Sequence, residues 1–97
     1  MIFADLNYEQ HYSDIHESLV RLLESKFEDV QHGLQGDSWI WVLEDGDKVE
    51  VDTFYSMKHQ VKCSNISSKV PEKVIDILKS ECEVFVYLEP EHEPHEV

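Results

Sequence analysis

Ninety-seven residues, 41% of them hydrophobic with only three Gly and three Pro, suit one globular domain with a modest core and nothing left for a second. Eight basic residues face 21 acidic ones, a formal charge of −13. That balance argues against binding nucleic acid through its phosphates or docking on anionic lipid.

No apolar run approaches the ~20 residues of a membrane span. The opening Met1-Ile2-Phe3-Ala4-Asp5 lacks the basic and then apolar pattern of a secretory signal. Cys63 and Cys82 show no metal-type spacing, so two reduced thiols and a cytoplasmic setting are expected.

In chain order, residues 2–6 read as a short strand, followed by a connection holding Tyr8, His11 and Tyr12. A helix is predicted over 14–27, with Ser13 or Asp14 accepting from the first free N–H groups. Ile15, Leu19, Leu22, Leu23 and Phe27 form its apolar stripe; His16, Glu17, Arg21, Glu24 and Lys26 mostly fall outside it. Val30 and Leu34 suggest a brief strand. Trp39-Ile40-Trp41-Val42-Leu43 suits a strand, and Asp45-Gly46 is a hairpin signal.

The return strand alternates Val49, Val51, Thr53, Tyr55 and Met57 with Lys48, Glu50, Asp52, Phe54 and Ser56, so one face is buried. Val61 and Cys63 suggest a third strand whose lysines suit a sheet edge. Residues 64–69 are a polar connection. A second helix is predicted over 71–80, with Pro71 at its first position. The nearly continuous apolar run 84–88 reads as an interior strand. Residues 89–97, with two prolines, four glutamates and two histidines, read as a disordered tail after a domain spanning 1–88.

The expected order is β-α-β-β-β-α-β: a two-layer α+β sandwich, its mainly antiparallel sheet of four to five strands carrying both helices on one face. Dropping one central strand gives the ferredoxin-like order. The other sheet face is left open, and the hairpin register decides what it carries. A two-residue Asp45-Gly46 loop turns Trp39, Trp41 and Leu43 outward. A three-residue loop with a bulge puts the tryptophans in the core, and the reading leans to that second register. In either register Phe54 joins Glu50 and Asp52 outside, with Phe85 and Tyr87 extending the patch. The candidate interaction face is therefore Glu50, Asp52, Phe54, Trp39, Trp41 and Tyr87.

Nothing points to catalysis or a cofactor. His92 and His95 lie on a proline-flanked tail, and His11 and His16 span a helix start. His59 and Cys63 share a strand face but stand about 13 Å apart, too far for one metal ion. Neither cysteine has an activating base on its own face, since Lys62 beside Cys63 points to the opposite one. Gly33-Leu34-Gln35-Gly36 lacks the Lys-Ser/Thr of a phosphate loop. Pairs such as Glu50 and Asp52 are expected by chance among 21 acids, and Asn65-Ile66-Ser67 is a glycosylation pattern only if the chain is secreted.

Four acids lie in 89–97 with no Lys or Arg, so the body alone still carries −9. The expectation is a non-enzymatic binding or regulatory domain, without cofactor or metal, that engages a basic protein surface. The alternative is a homo-oligomer packing through its open sheet face, with a small ligand at the seam.

Overall fold

The alternating and helical periodicities resolve, in a computed structural model that describes residues 1–93, into a six-stranded antiparallel sheet with two helices against one face. The elements are β1 (Ile2–Asn7), α1 (Tyr12–Glu24), β2 (Asp29–Gln35), β3 (Asp37–Glu44), β4 (Asp47–Asp52), β5 (Gln60–Cys63), α2 (Val70–Leu78) and β6 (Glu83–Glu91). The strand order is β2-β3-β4-β5-β1-β6. The α+β class and two-layer arrangement are as expected. The sheet is larger, and the order is not ferredoxin-like: β2 to β5 form one meander, and β1 returns to close it before β6.

The hairpin decides the face. Asp45 and Gly46 both have positive φ, 54° and 80°, the pair of left-handed residues that a type I′ turn requires. Glu44 therefore pairs with Asp47, Val42 with Val49 and Ile40 with Val51. Those four aliphatic residues are completely buried under the helices. Trp39, Trp41 and Leu43 point to the uncovered face, which overturns the core-tryptophan register.

Other expectations change as well. β4 stops at Asp52, because the Thr53 side chain takes over the ladder: its Oγ1 accepts from Ser38 N–H at 3.1 Å while Thr53 N–H donates to Ser38 O at 3.0 Å. The alternation of residues 53–57 thus belongs to a loop, and Tyr55 and Met57, expected inside, are exposed. β5 is interior rather than an edge, so Lys62 is buried. β6 is an edge rather than interior. It also continues through Glu91, so residues 89–91 are strand; of the expected tail, 94–97 lie outside the described residues.

α1 is capped by His11, whose Nδ1 accepts from Ser13 N–H at 3.2 Å, not by Ser13 or Asp14. Its buried stripe is Ile15, His16, Leu19, Val20 and Leu23. The stripe is rotated toward His16 and Val20 relative to the sequence reading, leaving Leu22 only partly buried. α1 lies over β2 and β3, and α2 over β4 and β5. Val74, Ile75 and Leu78 of α2 meet Val49, Val61 and Cys63 in the same core.

Candidate functional site

On β3, side chains two residues apart share a face, so Trp39 and Trp41 stand side by side with ring centroids 4.6 Å apart. Across the ladder on β4, Asp52 pairs with Trp39 and Glu50 with Trp41. The Lys48 ammonium sits 4.2 Å from the centre of the Trp41 ring. On the other side, β2 places Gly33 opposite Trp39. A Cβ at Gly33 would fall 2.5 Å from Trp39 Nε1, so this glycine provides the bed for the indole. Gly33→Ala is expected to displace Trp39 and cost about 1–3 kcal/mol. Urea unfolding followed by tryptophan fluorescence measures it, and an unchanged midpoint with unchanged emission would show that the ring does not depend on the glycine.

Beside the tryptophans lies a buried charge cluster. Lys62, only 2% exposed, places Nζ 2.5 Å from Asp52 Oδ1 and 2.9 Å from Glu93 Oε1. The rings of Phe54 and Tyr55 stand 5.8 and 5.1 Å from the same ammonium. Burial alone would lower the Lys62 pKa, but hydrogen bonds to two carboxylates outweigh it and hold the amine above its usual value. For Asp52 burial wins over the Lys62 hydrogen bond and pushes the carboxyl up; its Oδ2 has no hydrogen-bond partner among the described residues. Glu50 is also pushed up, first by burial and then by Asp52 and Glu93, against the pull of Lys48 and Lys62. A polar row continues across the sheet: Gln60 Nε2 donates to Asp5 Oδ1 at 3.0 Å, and Tyr87 OH donates to Asp5 Oδ2 at 2.7 Å. Burial and the Asp5 carboxylate raise the Tyr87 hydroxyl to about 12, so it stays a donor.

All six residues singled out from the sequence therefore reach the uncovered side. Trp39, Trp41, Glu50 and Asp52 are contiguous. Phe54 arrives from the loop rather than by strand parity, and Tyr87 is joined only through Asp5 and Gln60. Asp52 is completely buried and acts through Lys62 instead of meeting solvent. Lys62, Tyr55 and Glu93 complete the cluster and were missed.

On the helix side, a second polar group was missed altogether. Ser38 Oγ lies 2.7 Å from His59 Nε2 and 2.5 Å from His16 Nδ1. His59 Nδ1 is 2.7 Å from the Tyr8 hydroxyl, and His16 Nε2 is 3.4 Å from His32 Nδ1. The proton positions follow from satisfiability. The Tyr8 oxygen already accepts from His59 N–H at 3.1 Å, so its own proton goes to His59 Nδ1. Neutral His59 then carries its proton on Nε2 and donates to Ser38 Oγ. Ser38 in turn donates to His16 Nδ1, and His16 Nε2–H faces His32.

Each side-chain donor in this series from Tyr8 to His16 has an acceptor, and the donors run in one direction, toward His32 on β2. Protonating either buried imidazole would turn an acceptor into a donor and orphan a hydroxyl proton. Burial, then the His16 charge, brings His59 down to about 4; burial, then His32, lowers His16, with Glu17 opposing. Burial raises the Tyr8 hydroxyl to about 12. Ser38 between two imidazoles has the contacts of an activated nucleophile. It is completely buried, however, and its hydroxyl is committed on both sides. The group ties α1, β2, β3, the residue that follows β1 and the 53–59 loop together.

Among the described residues, no group of three His, Cys, Asp or Glu side chains is arranged to hold a metal ion, and no helix is long and apolar enough to cross a membrane. Burial lifts the Cys82 thiol to about 11, which leaves it unreactive near neutral pH. The class defined so far is an α+β domain with a six-stranded antiparallel sheet open on one face. No protein-family model matches the chain, and no curated protein or solved structure is significantly similar to it.

Proposed function

We propose that the chain is a small binding domain whose uncovered sheet face receives a basic protein surface. The observation that carries this reading is that the face already seats ammonium groups on its rings. Lys48 lies over Trp41, and Lys62 lies beside Phe54 and Tyr55. Glu50 lies opposite Trp41, Glu93 meets Lys62, and Asp5 lies further across the face, bonded to Gln60 and Tyr87. A partner's Lys or Arg would find the same combination of π-faces and carboxylates. A second copy of the chain would bring a further −13 and an identical set of acids, so like-charge repulsion disfavours it at this face.

Immobilised full-length chain, loaded at low salt with the lysate of its source, is expected to retain basic proteins and release them as salt rises. Glu50→Lys and Trp41→Ala baits are expected to retain at least about tenfold less, as for loss of an interface anchor. Equal retention by all three baits would remove this face from the reading. A bait that is dimeric in high salt, and retains nothing, would replace it with self-association.

A further inference from the structure

We propose that the outer edge of β6 is a strand-addition site for an extended segment of another protein, with apolar and basic residues alternating. The site is distinct from the aromatic face. Among the described residues, no strand pairs with the outer side of β6, so alternate backbone N–H and C=O groups there face outward.

Natural sheet edges are normally blunted by prolines, bulges or lysines. β6 has such protection only in its second half. Between Ala4↔Val86 and Ile2↔Glu91 the register slips, with five residues of β6 advancing against two of β1, and Pro90 lies within that stretch. The first half, Glu83 to Val86, pairs regularly with Asn7 to Ala4 and has no Lys, Pro or bulge.

The side chains next to this half are apolar and open to solvent. Phe85 is 61% exposed, Val86 53% and Leu88 fully. Neither helix packs extensively on β6, so a groove of about 270 Å3 opens between it and α2, lined by Ile66, Ile75, Val86 and Leu88 among others. An added strand presents its side chains alternately to the two faces. On the helix side, beside Val84 and Val86, they would enter the groove against its apolar residues, Ile75 and Val86 among them. On the other side they would flank Glu83 and Phe85 at the margin of the acidic face.

Charge selects the occupant. Glu72 and Asp76 line the helix wall and Glu83, Glu89 and Glu91 lie on β6, five acids against Lys69 at the start of α2 and Lys79, which is drawn to Asp76 at 3.8 Å. A second copy pairing β6 with β6 over its full length would set Glu83 against Glu91 at both ends, between two chains of −13. A segment with Lys or Arg at alternate positions meets no such repulsion.

The test uses the full chain, labelled for amide NMR, and a capped (Lys-Val)3 peptide as probe. The peptide is expected to shift the amides of Glu83, Val84, Phe85 and Val86. It should also slow hydrogen exchange at the outward-facing ones by at least about tenfold. Capped (Glu-Val)3, and the Lys peptide N-methylated at alternate residues, are expected to produce neither effect. Val86→Lys, at an exposed edge position, is expected to abolish the shifts while its own spectrum stays folded. Four results would each overturn the proposal: shifts confined to the Trp39–Trp41 face, equal binding of the N-methylated peptide, no shift into the millimolar range, or β6 amides already protected in the free chain as its concentration rises. The last would assign the edge to a second copy.

Discussion

Lowering the pH from neutrality to about 4 is expected to cost the folded state about 3 kcal/mol at His59 alone. In the unfolded chain this imidazole titrates at its ordinary 6.5; in the folded chain burial and the His16 charge hold it down to about 4. A basic group with a depressed folded pKa binds its proton more readily unfolded. Its contribution is therefore complete above 6.5, falls by about 1.4 kcal/mol per pH unit below that, and levels off beneath the folded value.

His16, lowered by burial and by His32, adds loss in the same direction. Asp52 and Glu50 work the other way. Burial raises both, so the folded state gains from their protonation as pH falls. The difference between wild type and a variant that cannot titrate isolates the histidine. Urea midpoints for wild type and His59→Gln, measured from pH 7.5 to 4.5, are expected to converge as pH falls, the variant being the less stable at neutral pH. Parallel profiles would mean that His59 takes up its proton in place, without breaking the bonds to Tyr8 and Ser38.

The hydrogen-bonded chain around His59 shows where sequence reasoning runs out. Its members are separated by long stretches: Ser38 meets His16 across 22 residues and His59 across 21. Periodicity sees one element at a time. One local signal was available: His16 sits beside Ile15 and one turn before Leu19 and Val20, inside the stripe that α1 buries. The helices and the Val49/Val51 alternation were legible because each depends on a local pattern.

The hairpin register was legible too, since Asp45-Gly46 is the two-residue turn signal and the backbone obeys it. The lean toward core tryptophans set that turn signal aside. What lets Trp39 face outward is Gly33, which a full-length β2 places directly opposite; a brief strand at Val30 and Leu34 could not reveal that pairing. Strand order was not legible. An apolar run such as 84–88 reads as interior, yet β1 took the interior place, and nothing local to β6 records that. The same insertion buried Lys62, a residue that reads as an edge lysine until β1 pairs alongside it.

Lys62→Met is expected to be among the most damaging single substitutions, at about 3–5 kcal/mol, against a total near 5–15 kcal/mol for a small domain. The cost arises from what is left behind. Asp52 is completely buried, its Oδ2 already has no partner among the described residues, and Lys62 supplies the positive charge at Oδ1. Glu93, 2.9 Å from the same ammonium, would then face Asp52 with no cation between them.

Packing alone predicts a different pattern. The lysine lies near the rings of Phe54 and Tyr55, and methionine keeps most of that apolar stem. If charge dominates, two results follow. Adding Asp52→Asn to Lys62→Met should recover at least half of the loss, because asparagine removes the stranded charge while its Oδ1 can still accept from Phe54 N–H. The loss should also shrink between pH 7 and pH 5. Without its lysine the Asp52 carboxyl titrates higher still, and its protonation favours the folded variant. Urea denaturation of the two single variants and the double variant at both pH values makes the comparison. A loss that is the same at both pH values, and that Asp52→Asn does not relieve, would assign Lys62 to packing.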